Sequence, residues 1–183
     1  MKKYKPKTVF KSERHKTNDA ILQLKFDKWY YAVGYRDAAE FLARKASRLK
    51  GFAGRQGLMY PTLFLYRHYL ELILKSIIDS GAVRHGGNGA PRTHDLLRLW
   101  ALAKRYILAS LPDRRGSSEI TWAEELIQEF ASIDKNSDGF RYPSQVTAFV
   151  NPNRLIRSMQ TRTLLLRIAA HILMSEAKES ATH

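Results

Sequence analysis

LMYPTLFLYRHYLELILKSIID, residues 58–79, is the stretch on which the fold turns. Leu63, Phe64, Leu65, Tyr66, Tyr69, Leu70, Leu72, Ile73, Leu74, Ile77 and Ile78 cover most of the circumference of a helix wound at 3.6 residues per turn. A helix apolar nearly all round is buried by neighbours on several sides. Pro61 is tolerable near its first turn, and Gly81 lies just past its end. Against that background the polar residues Arg67, His68, Glu71, Lys75 and Asp79 stand out. Arg67, Glu71, Lys75 and Asp79 are each four apart, so they share one face with alternating sign. One reading is a solvated ladder of ion pairs, each contributing about 0.3–0.5 kcal/mol. The other is a buried helix that offers its only polar face to a cleft. An Arg, a His and a carboxylate within one turn are what phosphate clamping and acid–base work require.

Working outward, other segments repeat the helical period. Tyr31, Tyr35, Ala38, Ala39, Leu42, Ala46 and Leu49 predict a first helix over 28–49, ended by Gly51 and Gly54. Thr93 is the expected N-cap of a helix over 94–111, with Asp95 in its first turn. Thr121 is the expected cap of a helix over 122–133, and a last helix is predicted over 154–178. Strand-like alternation is absent over any useful length, and no repeat is visible. The expectation is an all-α bundle of about five helices over residues 21–179, preceded by a basic, flexible tail over 1–20.

At 183 residues the chain is about one domain long. Its 31 basic and 17 acidic side chains give a formal charge of +14, which points to a polyanionic partner, nucleic acid above all. The excess is uneven: +10 lies in residues 1–55, whereas residues 113–150 carry −3. Without cysteine there is no disulfide scaffold, thiolate metal site or thiol catalysis. The apolar runs are too short to span a membrane, and no secretory signal opens the chain, so a cytoplasmic protein is expected. The six His include no pair three or four apart, and neither a Gly-rich phosphate loop nor a Gly-x-Ser-x-Gly elbow occurs. No metal or cofactor is expected. DKNSDG at 134–139 matches the first half of a calcium loop, but its twelfth position is Gln145, so a turn explains it better. His94 opens its helix where backbone N–H groups would favour an anion. FRYP at 140–143 sets Arg141 between two aromatic rings, either as a loop anchor or as a fixed guanidinium for an anion.

Taken in order, GYRDAA (34–39), LYRHYLELILK (65–75), HDLLRLW (94–100) and Asp134 followed by FRYP (140–143) resemble a bacterial group of the HEPN superfamily. The resemblance covers about residues 28–175 and implies a helical bundle from defence or toxin–antitoxin systems, homodimeric and with a possible cognate protein partner. Many such domains are metal-independent RNases; others bind nucleotides or partner a nucleotidyltransferase. Catalytic members carry an Arg separated from a His by four to six intervening residues at the start of a late helix. Here Arg167 and His171 have three residues between them, within the last predicted helix. The expected site is therefore a composite: Arg67, His68, Glu71 and His94 for catalysis, and Lys75, Arg141 and Tyr142 for phosphate. Two functions follow, a metal-independent endoribonuclease or a non-catalytic binder of RNA or nucleotide. A purely structural dimeric bundle is the third alternative.

Overall fold

The computed structural model describes residues 28–134 and 150–180, and every regular element there is helical: α1 (Lys28–Arg48), α2 (Phe52–His85), α3 (Leu96–Ser110), α4 (Ser118–Ile133), α5 (Pro152–Arg162) and α6 (Leu164–Ser180). A short 3-10 turn, Pro112–Arg114, links α3 to α4. The all-α expectation is met, with six helices among the described residues where about five were expected. The predicted tail over 1–20 lies outside them.

α2 is the axis of the bundle. Its Leu70, Leu74 and Ile77 are fully buried against α1, α3 and α6. From α3 come Leu99, Ala103 and Ile107, and from α6 come Leu166, Ala170 and Leu173. α1 turns Ala32, Ala39, Ala43 and Ala46 inward, four small side chains that let two backbones approach closely. Its Tyr31 and Ala38, expected on the inner face, are exposed, so that face is rotated from the predicted one. Lys28 at the start of α1 pairs with Asp79 near the end of α2, so the two run antiparallel.

α2 is longer than the predicted 58–79 at both ends. Gly51, at φ +93°, makes the turn from α1. Helix then starts at once, because a glycine at 54 or 57 costs about 1 kcal/mol against alanine without forbidding the helix. At the other end Ser80, Gly81 and Ala82 stay helical and buried. A Cβ on Gly81 would overlap the ring of Tyr106, so the missing side chain lets α3 close on α2. The helix over 94–111 is shorter than predicted, and Asp95, not Thr93, caps it by accepting from the N–H groups of Leu97 and Arg98. The fourth begins at Ser118 rather than after Thr121. The single last helix is two. Thr163 interrupts it, its hydroxyl donating back to the Met159 carbonyl at 2.6 Å, a bond that competes with regular helix. Asn151 caps α5, accepting from the Arg154 N–H, with Pro152 at the first helical position.

Candidate functional site

Three of the four polar residues on the α2 stripe, Arg67, Glu71 and Lys75, stack one turn apart, and the loop from α2 to α3 brings His94 onto them. Arg67 is 1% exposed. Its Nη1 donates to Glu71 Oε2 at 3.1 Å and its Nη2 to the His94 carbonyl at 2.7 Å. The second bond ties the loop to α2 and fixes where His94 sits. Nε lies 3.0 Å from Asp134 Oδ2, an ion pair whose N–H is not aligned as a good hydrogen bond. Asp134 is the residue after α4 and is 2% exposed. A buried arginine with two carboxylates thus joins α2, the α2–α3 loop and the end of α4.

Glu71 is the hub. Lys75 Nζ donates to Oε1 at 2.8 Å, and His94 Nδ1 stands 3.0 and 3.1 Å from the two carboxylate oxygens. Burial pushes the Glu71 carboxyl up, but the hydrogen bonds from Lys75 and His94 and their charges outweigh it and hold it below the ordinary carboxylate range. An ionised carboxylate only accepts, so His94 Nδ1 must carry the hydrogen. In the neutral ring Nε2 is then the acceptor. The His94 side chain is 65% exposed, whereas that of Glu71 is 3% exposed. Two cations, Arg67 and Lys75, balance two carboxylates, Glu71 and Asp134, so the charges cancel within the network.

The stripe is therefore not a solvated ladder. Arg67 and Glu71 are buried, Lys75 is at the rim, and Asp79 serves elsewhere, pairing with Lys28 and accepting from the Ala90 N–H. His68 follows Arg67 in the chain but lies about 100° round the helix. It packs edge-on against Tyr35, ring centroids 4.4 Å apart, and stacks on Phe64, so it faces α1 and not the network. The expected anion site at the start of α3 is filled by the chain's own anion, the Asp95 carboxylate. Arg141 and Tyr142 lie outside the described residues. So does the calcium-like loop apart from Asp134, whose carboxylate faces Arg67.

Asp134 is the network member that sequence reasoning did not assign. No local signal marks it, because its partner is on a helix far earlier in the chain. Arg92 and Arg98 were also passed over. Both are exposed beside His94 in the chain, and neither forms an ion pair among the described residues. Ten of the 31 basic and four of the 17 acidic side chains lie outside the described residues, leaving +8 on the described bundle. Among the described residues no three His, Asp or Glu side chains are grouped to hold a metal ion, and no helix is long and apolar enough to cross a membrane. Comparison with protein-family models, with curated proteins and with solved structures finds no match for this chain.

Proposed function

We propose that this chain is a HEPN-like helical bundle that binds RNA or a nucleotide, with the His94 edge as its contact and the Arg67 network as its internal support. The observation that carries this reading is the division of labour within one cluster. Arg67 is spent on internal partners, while His94 stands on a buried carboxylate with most of its ring in solvent. Lys75 lies at the rim of the same cluster, and the exposed Arg92 and Arg98 flank His94 in sequence. Exposed cations close to an imidazole in the chain are the groups a phosphate would meet there, and +8 on the described bundle draws a polyanion towards it. The resemblance to HEPN domains supports a homodimer with a cognate protein partner in a bacterial defence or toxin–antitoxin pair.

A second reading has one specific observation in its favour. Glu71 holds the Nδ1–H of His94, which leaves Nε2 outward as a base, the arrangement of an oriented catalytic imidazole. In RNA that base would take the proton of a 2′-hydroxyl. The 2′-oxygen would attack the adjacent phosphorus, and the 5′-oxygen would leave with a proton, giving a 2′,3′-cyclic phosphate and a 5′-hydroxyl. Arg67 cannot serve such a step from inside the network, so Arg92 and Arg98 would have to face the phosphate.

Fluorescently labelled single-stranded RNA in EDTA tests both. Saturable binding that weakens several-fold in Arg92→Gln/Arg98→Gln, with the RNA intact, is the expected result. Cleavage to cyclic-phosphate ends, lost in His94→Ala but kept in His68→Ala, would establish the second reading. RNA and nucleotide that do not bind even at low salt would overturn both.

A further inference from the structure

On the far side of α2 from the Arg67 network lies a cleft of about 430 Å³, walled by α1, α2 and α6. Arg67 and Tyr69 are two residues apart, about 200° round the helix, so this cleft is separate from the His94 edge. We infer that it is a binding site for a small amphipathic anion: one carboxylate or phosphate head on an aliphatic body.

The walls set the body of the ligand. Val33, Ile73, Leu164, Ile168 and Ile172 line the cleft, with Trp29 at one side. Leu164 and Ile168 are 46% and 40% exposed, apolar surface that an occupant would remove from water. The polar edges of a nucleobase would find no partners on these side chains, and unpaired polar groups are costly when buried. A hydrocarbon body has no such cost. The volume is within the range of small-molecule sites, about 300–1,000 Å³.

The charge sets the head. Arg36 from α1, with Arg167 and His171 from α6, shares the cleft. Arg36 gives Nε and Nη2 to Asp37, at 2.9 and 2.8 Å, and so is partly neutralised. Arg167 is exposed, and its guanidinium has no side-chain acceptor among the described residues. A cation with an apolar floor beneath it is a place for an anionic group whose tail can turn inwards.

Tyr69 is an independent observation. It lines the cleft, is 1% exposed, and its hydroxyl has no well-formed hydrogen bond. Thr163 is close enough to act on the phenol, although no well-formed hydrogen bond joins the two. Burial raises the Tyr69 phenol above its ordinary range, so it stays protonated, and both Arg36 and Arg167 are near enough to oppose that rise. A buried O–H without a well-formed bond, under the field of two guanidiniums, can turn towards an anionic head that enters the cleft.

Calorimetric titration of the full chain with octanoate and with octyl phosphate tests this, with 1-octanol as the tail alone and adenosine monophosphate as a nucleotide. Saturable one-to-one binding of at least one of the two anions is expected, with octanol at least tenfold weaker. The anion that binds identifies the head. Arg167→Gln should weaken it about tenfold or more, the loss of a charge-assisted bond, and Tyr69→Phe about three- to tenfold. Arg115→Gln, remote from the cleft, should leave it unchanged. Arg167 is on the surface and Tyr69→Phe keeps the ring, so both variants should fold, which their thermal unfolding checks. Three results would overturn the inference: neither anion saturating, an affinity indifferent to Arg167→Gln, or adenosine monophosphate binding more tightly than both through Arg167. A dimer closed over Leu164 and Ile168 that takes up neither anion would overturn it in favour of self-association. RNA binding at the His94 edge stands or falls separately, because Arg92→Gln/Arg98→Gln leaves the cleft intact.

Discussion

Arg67 and Arg167 are the same side chain put to opposite uses. Arg67, inside the bundle, faces a glutamate, an aspartate and a backbone carbonyl, and is 1% exposed. Arg167, on α6, is exposed at the edge of an apolar cleft with no side-chain acceptor among the described residues. The first is part of the fold; the second is available to a ligand. An arginine's part is decided by how many acceptors the fold has already turned towards it, and the formal +14 counts both alike.

Removing the inner arginine should have the largest effect. Arg67→Met leaves Glu71 and Asp134 buried with a charge too few, and breaking a buried pair in this way costs about 3–5 kcal/mol. That is a large part of an ordinary domain's stability, and a urea denaturation midpoint will read it. A loss below about 1 kcal/mol would mean that the network is open to water and that the contrast with Arg167 is smaller than described. The acid limb of stability is next. Glu71 is held below its unfolded value of 4.5, so its contribution is present above that pH. It is lost as the pH falls through the lower folded value. Denaturation midpoints followed from about pH 6 to about pH 3 should fall, and Glu71→Gln should flatten its share of that fall. His94→Ala removes one mostly exposed contact to Glu71, so a loss of about 1 kcal/mol or less is expected. Arg167→Gln, at the other pole of the comparison, should stay within about 0.5 kcal/mol of the parent by thermal unfolding.

The helices were legible because α2 advertises its burial: a run apolar on every side has no other home than the middle of a bundle. Its ends were not, because Gly54 and Gly81 read as stops until neighbours are known. Gly81 is helical since Tyr106 needs its space. The break at Thr163 was hidden for a related reason, since Leu155 to Leu173 keeps a helical period across it. Of the site, the four-residue spacing of Arg67, Glu71 and Lys75 was legible and the geometry bears it out. The role of Asp134 was not, because it depends on where the end of α4 comes to lie. Nor was the separation of His68 from Arg67, adjacent in sequence and turned to different helices. The cleft at Arg167 escaped for the same reason: its walls come from three helices, and no one of them carries the pattern.

The most direct test of the account is the salt dependence of RNA binding in the parent chain and in Arg92→Gln/Arg98→Gln. Each phosphate contact on a single strand adds about 0.7 to the slope of log affinity against log salt. If the exposed arginines beside His94 make the contacts, the double variant should lose about 1.4 of that slope while keeping the parent's denaturation midpoint. A slope unchanged by the double substitution would contradict the account, and would move the binding of RNA away from the His94 edge.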